Sequence, residues 1–274
     1  MDQYLIAIDL DGTALYDWET MTQKTIDAIR QVKALGHKVV IATGRPYRSS
    51  KRFYDLLELD TPIINYNGAL IQHPFDESFE VQEKFLPLDC VLQIFADNEE
   101  YIENAFCEHY DHIFLYRKDE TILPLVHPNG GVIIEGSFQQ NLTVNPNGFI
   151  LISKPGTHTI IEDYIKTNFK GILECRNWGG EASHVIEVFT PQTCKGIALE
   201  YLLEYYGLPN ERLMAFGDGY NDVEMIRISE IGVAMENAVP PVKEVSKAIT
   251  KSNKEDGVAH FLTTFFHLQP SAER

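Results

Sequence analysis

Apolar residues recur along this chain in two rhythms. The run Tyr4 to Ile8 is short, continuous and rich in strand formers, and it stops at the polar loop DLDGT, as a strand covered on both faces does. Ile26, Ile29 and Val32 then fall at helical spacing between Thr22, a capping residue, and Gly36, a terminator. Further strands are predicted over Lys38 to Ala42, running into Thr43-Gly44-Arg45, and over Pro62 to Asn65, running into Tyr66-Asn67-Gly68. The same grammar returns near the C-terminus. A helix from about Thr193 to Tyr206 ends at Gly207, a strand Leu213 to Phe216 leads into GDGYND, and a short strand covers Gly232 to Ala234. A helix through Val242 and Val245 precedes a strand near Ala248 to Thr250, and Asp256 caps a last helix carrying Val258, Phe261, Leu262 and Phe265. Both ends of the chain thus predict one α/β fold, a doubly wound, mainly parallel Rossmann-like sheet.

The stretch from Phe85 to Phe189 reads differently. It has long loops (HPNGG, NPNG), alternating runs (GFILISK, HVIEVF) and helical patterns near Leu88 to Cys107 and Thr159 to Phe169. It predicts an α+β insertion at 85–189, bounded by Leu86-Pro87 and Thr190-Pro191, within a core formed by 1–84 and 190–274. A length of 274 residues accommodates two modest domains, and 44% hydrophobic residues supply ample core.

Charge narrows the range of partners. A formal net charge of -17 repels nucleic acid and anionic lipid, so neither is expected as a partner. A phosphorylated ligand is repelled too, so a site that takes one must be locally positive, built from a metal ion, a few cations and oriented N–H groups. Cys90, Cys107, Cys175 and Cys194 stand singly, without metal-binding or disulfide spacing. The opening MDQYLIAIDLDG lacks a basic leader, and no stretch reaches membrane-spanning length, which predicts a cytoplasmic protein.

Candidate chemistry gathers where predicted strands end, the edge at which open α/β sheets bind ligands. Asp9 and Asp11, two apart in extended chain, face the same way, and two close carboxylates call for a cation such as Mg²⁺. Asp9 is then a candidate nucleophile and metal ligand, and Asp11 a candidate general acid and base. Gly12 permits the turn, and the Thr13 hydroxyl can bond a neighbouring carboxylate. DLDGT alone equally fits an Asx turn, a helix cap or a calcium loop. Thr43 and Gly44 offer a hydroxyl and N–H groups to phosphate, or form an ordinary turn. Lys195 opens a helix, where its charge adds to the helix dipole, or is simply solvated. In GDGYND, Asp218 is a candidate metal ligand, Asn221 a candidate phosphate or metal-water partner, and Asp222 a ligand or a support for one.

Together these segments resemble the haloacid dehalogenase superfamily, Cof-type branch. The resemblance rests on DLDGT at 9–13, TGR at 43–45, NGA at 67–69, Lys195-Gly196 and GDGYND at 217–222, in matching order over almost the full chain. The large insertion corresponds to that branch's C2-type cap. The resemblance implies a Mg²⁺-dependent phosphomonoester hydrolase acting on a small phosphorylated metabolite through an aspartyl-phosphate. In it Asp9 is the nucleophile, Asp11 the general acid/base, and Thr43, Gly44, Lys195 and Asn221 bind phosphate. Asp9, the Asp11 carbonyl and Asp218 form the metal site, and Thr13, Arg45, Asn67 and Asp222 support it. The cap is expected to close over the site and set selectivity, with Tyr116, Arg117, Arg176 and Trp178 as candidates to meet the substrate or else as cap core and surface. A phosphomutase or phosphotransferase, a phospho-accepting receiver, and a silent phosphate-binding regulatory protein are the competing readings. Intact Asp9, Asp11, Lys195 and Asp218 argue against the last, and a receiver carries no insertion of this size.

Overall fold

The computed structural model describes residues 3–269. The chain forms two compact units: one takes the chain up to Gly44, Ser50–Gln82 and the part from Cys194 onward, the other Arg45–Ser49 and Glu83–Thr193.

The first unit is built on a parallel five-stranded sheet. Its strands are β1 (Leu5–Ile8), β2 (Lys38–Ile41), β3 (Leu213–Gly217), β4 (Ile231–Ala234) and β5 (Ala248–Ile249). Their order across the sheet is β5-β4-β3-β1-β2. All four residues of β1 are at most 1% exposed, which is why that segment is apolar without alternation. From β1 the chain first adds β2 on one side and later β3 on the other, with Ile8 opposite both Ile41 and Phe216. The end of β1 is therefore the topological switch point, where the crossovers on either side diverge and leave a crevice.

Helix Gln23–Ala34 buries Ile26, Ile29 and Val32, is capped by Thr22, whose hydroxyl accepts the Thr25 N–H at 3.2 Å, and packs against helix Gly257–Phe266. Asp256 departs from the expectation that it caps that last helix. Its backbone is left-handed and its side chain accepts from the Thr22 hydroxyl at 2.5 Å, tying the two helix starts together. The segment expected as a third main-sheet strand also departs. Ile63–Asn65 pairs antiparallel with Leu70–Gln72, because Tyr66 and Asn67 adopt positive φ and reverse the chain at once, and one Ala42–Ile64 bridge connects it to the end of β2.

The second unit carries a six-stranded sheet, antiparallel except for one parallel edge pair. The helix expected over Leu88 to Cys107 stops at Asn98, and Ile102–His109 is a strand inside this sheet. The period changes there from helical to alternating: Ala105 and Cys107 join the core under the helices, whereas Phe106 faces the other way with Ile113 and Leu115. Helix Leu88–Asn98 contributes Val91, Ile94 and Phe95, and helix His158–Asn168 contributes Ile161 and Ile165, to that core.

Arg48 explains why five residues far from the insertion belong to this unit. Its guanidinium pairs with the buried Glu108 carboxylate and donates to the carbonyls of Val126 at 2.9 Å and of Tyr110 and His127 at 3.0 Å each. Tyr110 and His127 both have positive φ, so one planar fork holds two left-handed turns as well as an ion pair. Burial pushes the Glu108 carboxyl up to about 7 despite Arg48. Arg48→Lys keeps the charge but loses the fork. Thermal or denaturant unfolding should show a loss of about 2 kcal/mol, and an unchanged midpoint would mean that the carbonyl contacts contribute nothing.

Candidate active site

The carboxyl ends of β1, β2, β3 and β4 lie along one edge of the first unit's sheet, and each delivers a polar residue: Asp9, Thr43, Asp218 and Asn237. The Asp9 N–H stays in the sheet, donating to the Phe216 carbonyl at 3.2 Å, while residues 10–14 form a tight turn closed by Ala14 N–H to Asp9 O at 3.2 Å. Gly12 has φ 72° at the centre of this turn. A Cβ there would also collide with the Asp218 carboxylate, so two independent constraints demand glycine.

Lys195 is the first residue of helix Lys195–Tyr206, whose start is capped by the Cys194 sulfur. Its side chain is fully buried, and Nζ bonds Asp9 Oδ1 at 2.6 Å and Asp222 Oδ1 at 2.7 Å. Far from being solvated, it joins two carboxylates. Asp222 Oδ2 in turn accepts the N–H groups of Asp218 at 2.8 Å and Gly219 at 2.9 Å, so both its oxygens are engaged. Asp218 Oδ1 accepts from the Thr13 hydroxyl at 2.9 Å. Asn221 donates to Asn67 at 2.9 Å, and the Asn67 side chain lies against Gly44, where it would crowd any added Cβ. Thr43 is fully buried and its N–H donates to the Ile64 carbonyl at 2.9 Å.

Asp9, Asp218 and Asp222 offer oxygens within 4.8 Å of one another. Asp11, part-buried, follows in the same loop. Burial pushes the Asp9 carboxyl up, and Asp222, Asp218 and Asp11 push the same way against the Lys195 ammonium. Burial and the Asp222 charge raise Asp218 to about 7. For Lys195, burial disfavours the charge, but Asp222 and Asp9 outweigh it and raise its pKa. Three clustered carboxylates against one ammonium leave an excess of two negative charges when all are ionised, which fits a bound divalent cation. Asp9 and Asp218 are the residues that would hold it, since Asp222 is engaged by the Lys195 ammonium and by two backbone N–H groups, whereas Asp218 accepts only from neutral side chains.

Arg45, buried, lies in the segment assigned to the second unit. There, Arg176 pairs with Glu187 at 2.8 Å and lies over the Phe189 ring, and Tyr116 donates to Glu99 at 2.6 Å beneath the Arg117 guanidinium. All four cysteines are free. Sequence reading missed Asn237 and Asn253. The signal for Asn237 was its place just after a strand of the main sheet; Asn253 carried none.

A parallel sheet with an acid and lysine cluster at its switch point defines an α/β protein whose polar site lies where such sheets bind their ligands. The chain belongs to the haloacid dehalogenase-like hydrolases: that family's model matches residues 6–262. The 5-amino-6-(5-phospho-D-ribitylamino)uracil phosphatase YitU of Bacillus subtilis is 38% identical over 266 residues, covering 97% of this chain and 98% of the relative. A second Bacillus subtilis phosphatase named for the same compound, YcsE, is 30% identical over 94% of each chain. The crystal structure of a haloacid dehalogenase-like hydrolase from Bacteroides thetaiotaomicron superposes with a TM-score of 0.83 at 26% identity, covering 97% of this chain and all of that one. Among the described residues, no helix is long and apolar enough to cross a membrane.

Proposed function

We propose that this phosphatase is a Mg²⁺-dependent phosphomonoesterase that forms an aspartyl-phosphate on Asp9, with a ribityl-aminopyrimidine phosphate as its substrate class. The observation that carries the chemistry is the buried Lys195 bridge between Asp9 and Asp222 beside Asp218. The substrate class is supported by the 38% identity to YitU across nearly the whole of both chains.

Lys195 holds Asp9 Oδ1 and so fixes the carboxylate's rotation for attack on phosphorus. As the bond from Asp9 to phosphorus forms and the bond to the leaving oxygen breaks, Asp11 gives that oxygen a proton. Asp11 then takes a proton from water, which attacks phosphorus, releases inorganic phosphate and restores Asp9. The Lys195 ammonium, Thr43 and the Asn67–Asn221 pair bind and orient the phosphoryl oxygens. When bound, Mg²⁺ supplies charge neutralisation for the transferring group.

The test is phosphate release from the ribityl-aminopyrimidine phosphate, a sugar phosphate, a nucleotide and p-nitrophenyl phosphate, with Mg²⁺ or with chelator. We expect chelator to abolish turnover and the ribityl compound to give the highest kcat/KM. Turnover that survives chelation would sink the metal assignment, and a flat profile would sink the substrate assignment. The same assay has a pH signature. Asp218, near 7 in the metal-free protein, must lose its proton to ligate, so protons compete with the metal below pH 7 and cease to compete above it. The Mg²⁺ concentration for half-maximal rate should rise about tenfold from pH 8 to pH 6.

A further inference from the structure

Two asparagines outside every motif above converge on the site. Asn237 lies in the turn that follows β4, and Asn253 in the short helical turn Asn253–Glu255 that follows β5. Asn237 Oδ1 accepts the backbone N–H of Asn253 at 3.0 Å. That bond settles which way the amide faces, because only an oxygen can accept there. Its Nδ2 therefore faces the site, donating to the Gly12 carbonyl at 2.8 Å and approaching Asp218 Oδ2 at 3.4 Å. Asn253 is oriented in turn: its Nδ2 donates to the Leu15 carbonyl at 2.8 Å and reaches Tyr16 O at 3.4 Å.

The result is a relay that grips the loop after β1 at Gly12, Leu15 and Tyr16 and ends on the Asp218 carboxylate. The turn holding Asn237 also binds the Asp218 backbone, through Val239 N–H to Asp218 O at 2.9 Å. Asp218 is thus held on every side: its N–H by Asp222, its carbonyl by Val239, Oδ1 by Thr13, and Oδ2 by the Asn237 amide. Two loops that carry like charge would otherwise spread apart by repulsion. A neutral amide that donates to both loops draws them together without adding a charge for the cation to compete with.

We infer that Asn237, oriented by Asn253, is a positioning residue that presets the spacing of Asp9 and Asp218 for a divalent cation. The inference rests on the metal reading above. Hydrogen-bond donors behind metal-ligating carboxylates are typically worth about 10- to 100-fold in metal affinity.

The experiment is Mg²⁺ titration of the full-length, substrate-free protein by calorimetry and by thermal shift, for wild type, Asn237→Ala, Asn237→Asp and Asn253→Ala. Asn237→Ala should bind Mg²⁺ about 10- to 100-fold more weakly, and Asn237→Asp more weakly still, because an acceptor then faces the Gly12 carbonyl and the Asp218 carboxylate. Asn253→Ala leaves the amide in place but frees its rotation, so about a three- to tenfold loss is expected. In turnover assays KM for substrate should hold, and most of the lost rate should return at saturating Mg²⁺. A purely structural role would lower the metal-free melting temperature and leave Mg²⁺ affinity within twofold of wild type, and that result overturns the relay. If Asn237→Ala does not fold, Asn253→Ala carries the test alone. Wild-type protein that binds no Mg²⁺ would overturn the metal reading and the relay with it. Wild-type binding with unaffected variants would overturn the relay only.

Discussion

Replacing Asp9 by asparagine is expected to lower phosphate release by at least about 10⁴-fold while leaving the fold as stable as before or more so. The two effects part because the residue is costly to keep. Asparagine has nearly the same shape, and its carbonyl oxygen can still accept from Lys195. What it lacks is the negative oxygen that attacks phosphorus in the proposed mechanism, so on that mechanism no acyl-phosphate forms and the two-step route is lost. The cost of the native carboxylate is visible in its surroundings. It is 4% exposed, and burial together with Asp222, Asp218 and Asp11 pushes its pKa up. Removing that charge relieves repulsion in the metal-free protein. Acid quenching of a single turnover should trap phosphate on the Asp9 peptide in wild type and none in the variant. Turnover within tenfold of wild type would show that another group attacks.

Lys195→Met should do the opposite to stability. It leaves Asp9 and Asp222 facing each other, buried, without the ammonium that sits 2.6 and 2.7 Å from them. Breaking a buried pair by removing one partner typically costs about 3–5 kcal/mol, and here one cation serves two acids. Hydrolysis should fall as well, since the Lys195 ammonium that holds Asp9 Oδ1 is gone. A raised carboxyl pKa in the folded state means stability that declines as pH rises past the unfolded value. Asp9 is already raised and would rise further without Lys195, so the variant's deficit should shrink on acidification. Adding Asp9→Asn to Lys195→Met should recover part of the loss, because one stranded charge is then gone. A double variant as unstable as the sum of the singles would mean that the two side chains do not interact.

Much of the first unit was readable from pattern because its information is local. The run before Asp9 is uniformly apolar since β1 is buried on both faces, and Thr22 and Gly36 bracket a helix by their own backbone chemistry. Polar residues placed just after strands pointed to one edge, and the edge is there. The errors fell where neighbours in space overrule neighbours in sequence. Ile102 to Cys107 continues an apolar helical run by eye, yet it lies between two strands of a sheet that supply its hydrogen bonds. Asp256 had the chemistry of a cap and was claimed instead by Thr22, 234 residues away.

The sequence by itself determined the candidate inventory: which acids, which lysine, and after which strands they come, because strand ends and helix starts are written in residues close together. Only the tertiary structure decided what each one touches. Lys195 meets Asp9 across 186 residues, and Asn237 meets Gly12 across 225. Arg48 is drawn into the second unit by four oxygens that lie at least 60 residues away. Hydrophobic periodicity reports which face of an element is buried, but a hydrogen bond between two loops depends on strand order and register. The strand order puts the end of β1 at the switch point, and that placement turns four scattered polar residues into one site.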